Sequence, residues 1–598
     1  MDKRTFGAFA LIFAILMIFP YLNQKFFPGE PRPADPDTPT AVVSEPPLED
    51  TVGQLDLERL PADDSPFNEI ETPETAGAPL TVEAALRVPT GPESLVEVVT
   101  PLYRIQISSV GGRIVSWEGL EHKSWTGGVV QLIPETIPDT GLDALVFRTG
   151  EMPLGEANYT FGQPTGLHLQ AGDGLHSLEL SFRTDGGLMV RKIFTIDPAT
   201  YAIGVDMVLG SSNAGLSRQT LNLLGSPEGF RLGWNQGIAT TERVQKMEAP
   251  SLRTVALVGD GFEKKKQQNL KKDVEKVTGV YNGTVRFAGV QNRYFTVFGV
   301  VPQATGAVLG TIRLGGDQAT DCQSWSVEVP ALRGQNDDIA TAGFDLFIGP
   351  QVKDLLLAVD PVLEQAMDLG YNWIRPLTEL VVWSMAWMHQ YIPNYGVIII
   401  LLSILQKLAF YPLSKKQTES MKRMQEIQPK LKAMQAKYKD DKEKLNQATM
   451  KLYKEEKVNP VSGCLPMLLQ LPVFMALYQG FSHTVALRQQ PFVLWIKDLA
   501  QPDALFQMPF ELPMLGGDFN VLPILMSVAM YFQTKLTPSA GGGQMAAMNT
   551  MMPLIMVFIF YNMPSGLVLY WLVNTIMQAW QSYRMKTKTA TPTTAGAE

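Results

Sequence analysis

The chain has 598 residues, 45% of them hydrophobic, a formal net charge of -9 and only two cysteines. That length excludes one ordinary domain, and two cysteines exclude a disulfide scaffold or a cysteine metal framework. Charge and hydropathy are averages over two unlike halves. Before about residue 350 the sequence reads as soluble and β-rich apart from its extreme N-terminus, and beyond it come long, nearly uncharged apolar runs. Cys322 and Cys464 fall in different regions, so no disulfide is expected between them. The five histidines (His122, His168, His176, His389, His483) are scattered. No HExxH, phosphate-binding loop or GxSxG elbow occurs, so the expectation is no enzyme, no cofactor and no metal.

Lys3 and Arg4 precede an apolar run at 6–22. Seventeen residues at the helical rise span about 26 Å, just enough to cross a bilayer. Asn23-Gln24-Lys25-Phe26-Phe27 follows without a small-x-small cleavage site. Residues 1–27 therefore read as an uncleaved signal anchor with a cytoplasmic N-terminus, a cleaved signal being the rival reading. Residues 28–94 form a linker. Between 28 and 93 there are 15 Asp/Glu against 3 Arg, and 13 Pro, a composition that cannot bury enough apolar surface to fold and whose charge extends it.

A period of two then takes over, predicting a β-sandwich domain at 95–355. Leu178, Leu180 and Phe182 alternate with Glu179, Ser181 and Arg183, and Asp185-Gly186 follows as a turn. Tyr201, Ile203, Val205 and Met207 repeat the alternation, and Asn282-Gly283 signals a further hairpin. Lys264-Lys265-Lys266 with Lys271-Lys272 reads as a basic, helix-compatible insertion. It could touch anionic headgroups, although such a run is more often a solvated face.

Residues 356–394 read as an amphipathic helix in the membrane interface, with Trp373, Trp383 and Trp387 among Arg375, Glu379 and His389. Pro376 and the charges argue against a crossing helix. A core at 395–583 follows. The run 395–412 can cross. Residues 414–459 hold 13 Lys/Arg against 7 Asp/Glu, net +6, which places them in the cytoplasm by the positive-inside rule. Met421, Met424, Ile427, Leu431 and Met434 recur at helical spacing, predicting a helical hairpin that turns at Asp440 and Asp441.

Residues 461–481 then cross outward, 485–519 form an outer loop of interfacial character, and 520–536 cross inward. A short inner loop at 537–549, an outward span at 551–561, a turn at 562–566 and an inward span at 567–583 complete the core. Arg584, Lys586 and Lys588 mark a short cytoplasmic tail at 584–598. The expected fold class is an α-helical polytopic membrane protein plus an all-β outer domain. It has six transmembrane helices, five of them in the core, and both termini in the cytoplasm.

Lys407 lies about 18 Å along its span from Tyr395 and about 6 Å from Tyr411. A lipid-facing charge costs about 2.5–3.5 kcal/mol, so this ammonium has to reach water. It either snorkels to the cytoplasmic interface or lines a hydrated cavity. Gln470, Asn574 and Thr575 are further polar residues in other spans; one buried amide can simply bridge helices, but several beside a lysine fit a wet groove better. Of the 27 methionines, 21 lie in 361–598, enough to suit promiscuous apolar binding, or simply to fill a membrane core.

Tyr411-Pro412-Leu413, Lys457-Val458-Asn459-Pro460, Gly463-Cys464-Leu465-Pro466 and Leu469-Gln470-Leu471-Pro472-Val473-Phe474 occur in order. Leu487-Arg488-Gln489-Gln490-Pro491-Phe492 with Trp495 follows, then Pro564-Ser565-Gly566-Leu567-Val568-Leu569-Tyr570-Trp571. Together over about 370–583 they resemble YidC-type membrane protein insertases. The anchor, linker and outer domain resemble the Gram-negative form, whose periplasmic domain is a galactose-mutarotase-like supersandwich.

The resemblance implies a five-helix core around a hydrophilic groove, open to cytoplasm and lipid and closed toward the periplasm. Lys407 stands where the family usually has an arginine. That keeps the charge but gives up the bidentate fork. Gln470 maps onto a groove glutamine. Tyr570 and Trp571 map onto a tyrosine pair of a client slide, with Met467 and Phe474 beside them, and 414–459 maps onto the client-capturing hairpin. The implied partners are nascent membrane proteins, with the Sec translocon, ribosome, targeting factors and anionic lipids as further candidates, and no specific nucleic acid. The implied location is the bacterial inner membrane. Two other classes compete: a transporter, which should show internal repeats that are not found here, and an envelope sugar-processing protein using His168 and His176.

Overall fold

A computed structural model describes residues 87–134, 144–148, 154–163, 165–185, 187–210, 230–270, 275–314, 320–330, 332–333, 339–412, 423, 426–438, 442–456, 465–512, 515–536 and 543–589. The N-terminal anchor, nearly all of the linker, Lys271-Lys272 and Cys464 lie outside the described residues. Among the described residues the N-terminal half builds two sheets, one of five strands and one of thirteen.

In the smaller sheet Leu95–Val99, Tyr103–Ser108, Ile114–Lys123 and Val129–Gln131 pair in sequence, with Leu167–His168 parallel to the first. The main path of the larger runs Gly261–Lys266, Arg253–Val258, Glu275–Gln291, Phe295–Leu314, Ile339–Pro350, Ala202–Gly210, Met189–Ile196, His176–Arg183, Thr160–Phe161. Alternation decides which face packs. Leu178, Leu180, Phe182, Ile203, Val205 and Met207 are buried, and Trp117, Trp234 and Trp325 lie among the largest fully buried side chains. His168 is exposed and His176 half-buried.

Two local expectations are overturned. Asn282-Gly283 is no hairpin turn: both residues lie inside the seventeen-residue strand Glu275–Gln291, where the register slips between Asn282 and Val285 and Gly283 takes φ 124°. The glycine makes a bulge because the long partner Phe295–Leu314 keeps both flanks paired. Lys264-Lys265-Lys266 is strand, not helix, at the edge of the larger sheet. Its Lys264 ammonium lies 4.9 Å from the Phe262 ring centre, and lysines on an edge discourage further strand addition.

The interval 356–394 is not one helix. Lys353–Val359 is helical, Asp360 caps a 3-10 turn at Pro361–Ala366 by accepting from Val362 N at 2.9 Å, and Gly370 turns the chain at φ 88°. Helix α1 (Arg375–His389) follows, with Pro376 in its first turn, where the missing amide costs nothing. Arg375 binds Glu364 at 2.8 Å and Glu379 at 2.9 Å. One face buries Thr378, Met385 and Met388, and the other exposes Leu380, Trp383 and Trp387.

Helix α2 (Tyr395–Ala409) is capped by Asn394, which accepts from Val397 N at 3.2 Å. Helices α3 (Gln428–Lys437) and α4 (Lys442–Glu455) are linked by Lys430–Glu456 at 2.5 Å and by Leu431 and Tyr453 packing on Ile427. Then come α5 (Leu465–His483), a β-hairpin Ala504–Leu512/Gly516–Asn520, α6 (Leu522–Leu536), α7 (Gly543–Phe560) and α8 (Ser565–Thr589). The hairpin stands where only an outer loop was expected. Helix α7 begins inside the expected inner loop, and α8 runs six residues past Tyr583. Helix α2 packs on α8, α6 on α7 and α8, and α1 on α5 and α2.

Among the described residues no helix is both long and apolar enough to cross a membrane. Helices α2 and α6 have 15 residues each, about 22 Å against a hydrocarbon core of about 30 Å. Helix α8 is longer but ends in a basic turn.

Candidate functional site

Two buried polar clusters stand out. The first lies between α2, α5 and α8. The fully buried Tyr570 of α8 donates its hydroxyl to Gln406 Oε1 on α2 at 2.7 Å. Gln470 of α5 and Asn574 of α8 also reach that hydroxyl, and Asn574 Nδ2 donates to Tyr570 O at 3.1 Å. The next residue of α2, Lys407, donates its ammonium to Gln578 Oε1 on α8. Among the described residues no carboxylate pairs with Lys407, which is half-buried. Thr575 is buried on the same helix. Both side-chain amide atoms of the buried Gln581 lack a partner among the described residues, at a cost of about 1–3 kcal/mol for such a group.

An aromatic wall adjoins this cluster. Trp571 meets Phe474 of α5 edge-on at 5.2 Å and Phe560 of α7 at 5.2 Å, and Phe474 and Phe560 lie 6.0 Å apart. The structure thus brings together Lys407, Gln470, Tyr570, Asn574, Trp571 and Phe474. Met467 is on the helical backbone of α5, and Met434 is half-buried on α3. Met421, Met424, Asp440 and Asp441 lie outside the described residues.

Sequence reasoning missed Gln406, Gln578 and Gln581. A signal was present. Tyr570, Asn574, Gln578 and Ser582 recur every four residues, which puts them on one helix face, and Gln406 is the chain neighbour of Lys407.

The second cluster joins the β-rich half to the helical half. Arg488, next to the short 3-10 turn after α5, donates through Nε to Glu242 Oε1 at 2.5 Å. Its Nη1 donates to Lys123 O at 2.6 Å and its Nη2 to Thr241 O at 3.1 Å. Gln501 Nε2 donates to the other Glu242 oxygen at 2.7 Å. The Arg488 and Glu242 side chains are 3% and 2% exposed. Arg293 adds bonds to Ser482 O at 2.5 Å and Ala500 O at 3.4 Å, and Arg243 pairs with Asp518 at 2.8 Å.

Glu248 stands behind this knot, its carboxylate accepting from Thr241 N at 3.0 Å and Glu242 N at 3.3 Å. Burial, with help from the neighbouring Glu242 charge, pushes its carboxyl up to about 7. Burial likewise pushes Asp498 up to about 6.

A family described as 60Kd inner membrane protein matches residues 387–592, and one described as YidC periplasmic domain matches 95–384. The chain is 31% identical to a protein named Membrane protein insertase YidC from Pelobacter propionicus, over 96% of this chain and 97% of that one. It is 31% identical to a protein of the same name from Syntrophus aciditrophicus, over 98% and 99%. A crystal structure titled as an active YidC insertase with its first transmembrane domain resolved matches at 20% identity and TM-score 0.34, over 82% of this chain and 92% of that one. The chain belongs to the YidC family of membrane protein insertases, in the form that carries a β-rich periplasmic domain.

Proposed function

We propose that this protein inserts nascent membrane proteins into the bacterial inner membrane through the polar cluster between α2, α5 and α8. The observation that carries this reading is the aim of Lys407. Its ammonium turns across the helix pair to the Gln578 amide. That orientation favours a polar groove over a lysine snorkelling outward. A short polar or acidic outer segment of a client enters there, and Lys407 with the Tyr570 hydroxyl and the Gln406, Gln470 and Asn574 amides lowers its desolvation cost. The client's apolar helix then slides along the Phe474–Phe560–Trp571 wall into lipid. Apolar transfer, with the membrane potential acting on acidic residues, drives the step.

In this reading α2, α5, α6, α7 and α8 are embedded, with 6–22 as a sixth span. Both termini lie in the cytoplasm, and α1 rests in the outer interface. Local thinning of the bilayer accommodates the short α2 and α6. The basic hairpin of α3 and α4 captures clients on the cytoplasmic side, where anionic lipids, ribosome, targeting factors and the Sec translocon are its candidate partners. The chemistry is physical, with no covalent step, cofactor or metal. A transporter or a sugar-processing protein is not favoured, since the relatives that span nearly the whole chain are named insertases.

Photocrosslinking from positions 407, 470 and 570 to nascent membrane proteins tests the groove. Client adducts from these sites, weaker from exposed positions of the β domain, are expected. A complete lack of adducts from all three would sink the groove while leaving family membership intact.

A further inference from the structure

The outer loop between α5 and α6 presents two apolar tips that the groove does not use. The first is the turn at 492–496, where Phe492 N donates to Ile496 O at 3.0 Å and Ile496 N to Val493 O at 3.2 Å. This turn forces Leu494 to φ 58°, a region that costs a branched side chain about 1–3 kcal/mol. It also leaves Leu494 86% exposed.

The second tip is the hairpin Ala504–Leu512/Gly516–Asn520. Phe506 stacks on Phe519 at 5.0 Å, while Leu505, Phe506, Phe510 and Leu512 stay exposed. A two-stranded ribbon of this kind is marginal in water by itself.

Both tips are fastened to the outer ends of the bundle. Asn394, the cap of α2, donates to Phe492 O at 3.3 Å, and a side chain in place of Gly396 would collide with the Phe492 ring. Asp503 Oδ2 accepts from Trp495 Nε1 at 3.0 Å, Val521 N at 3.0 Å and Leu522 N at 2.6 Å. One carboxylate therefore ties the Leu494 turn, the hairpin base and the first turn of α6 together. The same helix ends receive α1, whose Trp387, with Tyr391 just beyond its end, is exposed before Asn394. The two tips thus continue the amphipathic surface of α1 around the bundle.

Charge narrows the occupant. Residues 504–520 contain no Lys or Arg, and their two acids are Glu511 and Asp518. Asp518 is already paired with Arg243. The hairpin therefore holds no cation to attract a phosphate or an acidic peptide, and apolar transfer drives its burial; beside the Leu494 turn the exposed Lys497 adds one positive charge.

From this we infer that the Leu494 turn and the paired strands Ala504–Leu512 and Gly516–Asn520 dip into the acyl region of the periplasmic leaflet as a second interfacial anchor, opposite in charge logic to a basic amphipathic helix. The inference rests on the embedding of α6 proposed above. It assigns the occupant as lipid, bound without regard to headgroup charge.

The test uses the full-length protein carrying Cys464→Ser, the buried Cys322 being retained, in neutral phosphatidylcholine vesicles. Single Leu494→Cys, Phe510→Cys and Val528→Cys variants carry an environment-sensitive fluorophore, Val528 reporting the middle of α6. The expected result is blue-shifted emission at 494 and 510 with strong quenching by brominated acyl chains. It should be unchanged by high salt or by added anionic lipid. Quenching by aqueous iodide with no bromolipid effect at 494 and 510, while 528 is quenched by bromolipid, overturns the inference alone. Protection at 494 and 510 that develops only when a client is added overturns it in favour of client docking. Loss of bromolipid quenching at 528 as well overturns the embedding of the helices from which the inference starts.

Discussion

Arg488 and Lys407 are both cations withdrawn from bulk water, and the fold answers them in opposite ways. Arg488 meets a full carboxylate and two carbonyls, with the Phe295 ring 5.6 Å from its guanidinium carbon. Lys407 meets one neutral amide. The first arrangement closes a charge completely and fixes two parts of the chain 246 residues apart. The second leaves a charge partly uncompensated in a half-buried place, and under the function proposed above that charge is what attracts a client segment. A satisfied charge locks, and an unsatisfied one waits.

The largest expected effect breaks the lock. Arg488→Ala strands Glu242 in the seam without a counter-charge, and removing one partner of a buried pair costs about 3–5 kcal/mol. Chemical denaturation of the solubilised full-length protein should show that loss, with new protease sensitivity near Lys123. Replacing both partners, Arg488→Met with Glu242→Leu, should lose much less, because neither charge remains to be buried. Equal losses in the single and double variants would mean that packing, not charge, holds the seam.

The same seam carries a pH dependence. In the folded protein Glu248 binds its proton up to about pH 7, well above the ordinary carboxylate range, because burial opposes its charge. The folded state therefore holds more protons than the unfolded one between about pH 4.5 and about 7. The stabilisation is fully present below that window and is lost as pH rises through it, on the order of 3 kcal/mol. Asp498, raised to about 6 by burial, adds in the same direction over a lower window. Glu248→Gln should flatten most of this slope in denaturation curves recorded across the window. An unchanged slope would place the titration elsewhere.

Much of this was legible in the sequence, and the failures have physical causes. Period two exposed the buried rows of the β domain because each strand packs one face. Asn282-Gly283 misled because a turn-forming pair inside a long ladder makes a bulge, and its partner strand is invisible locally. The lysine run at 264–266 misled because edge strands take charges for protection. Lys407 and Gln470 stood out as polar side chains inside apolar runs, and Tyr570 came from the ordered motifs of the resemblance. Gln578 was overlooked, though its spacing from Tyr570 and Asn574 pointed to it. The Arg488–Glu242 seam could not be read at all, since nothing local to either residue names a partner so distant in the chain.

On the groove side, Lys407→Glu should slow insertion of clients with acidic outer segments about tenfold, roughly 1.4 kcal/mol of barrier. Lys407→Arg should stay near the parent. The readout is protease protection of the client's outer segment in vesicles, compared between acidic and neutral versions of one client. If Glu and Arg are tolerated alike, the lysine serves as a snorkelling residue and the comparison with Arg488 fails.

The finest test converts the waiting charge into a locked one. Gln578→Glu would give Lys407 a carboxylate at the place where it now meets an amide, reproducing the Arg488–Glu242 arrangement inside the groove. The pair stays half-buried near the C-terminal end of α2, so water softens its Coulomb energy and the gain in stability should be small, within about 1 kcal/mol. Insertion of acidic clients should nevertheless fall severalfold, less than for Lys407→Glu, because the ammonium then has a resident partner to leave. Neutral clients should insert at the parental rate. A variant that is as stable as the parent but selectively poor with acidic clients would separate the charge's availability from its mere presence. A variant that loses both client classes equally would show instead that Gln578 acts by packing α8 against α2.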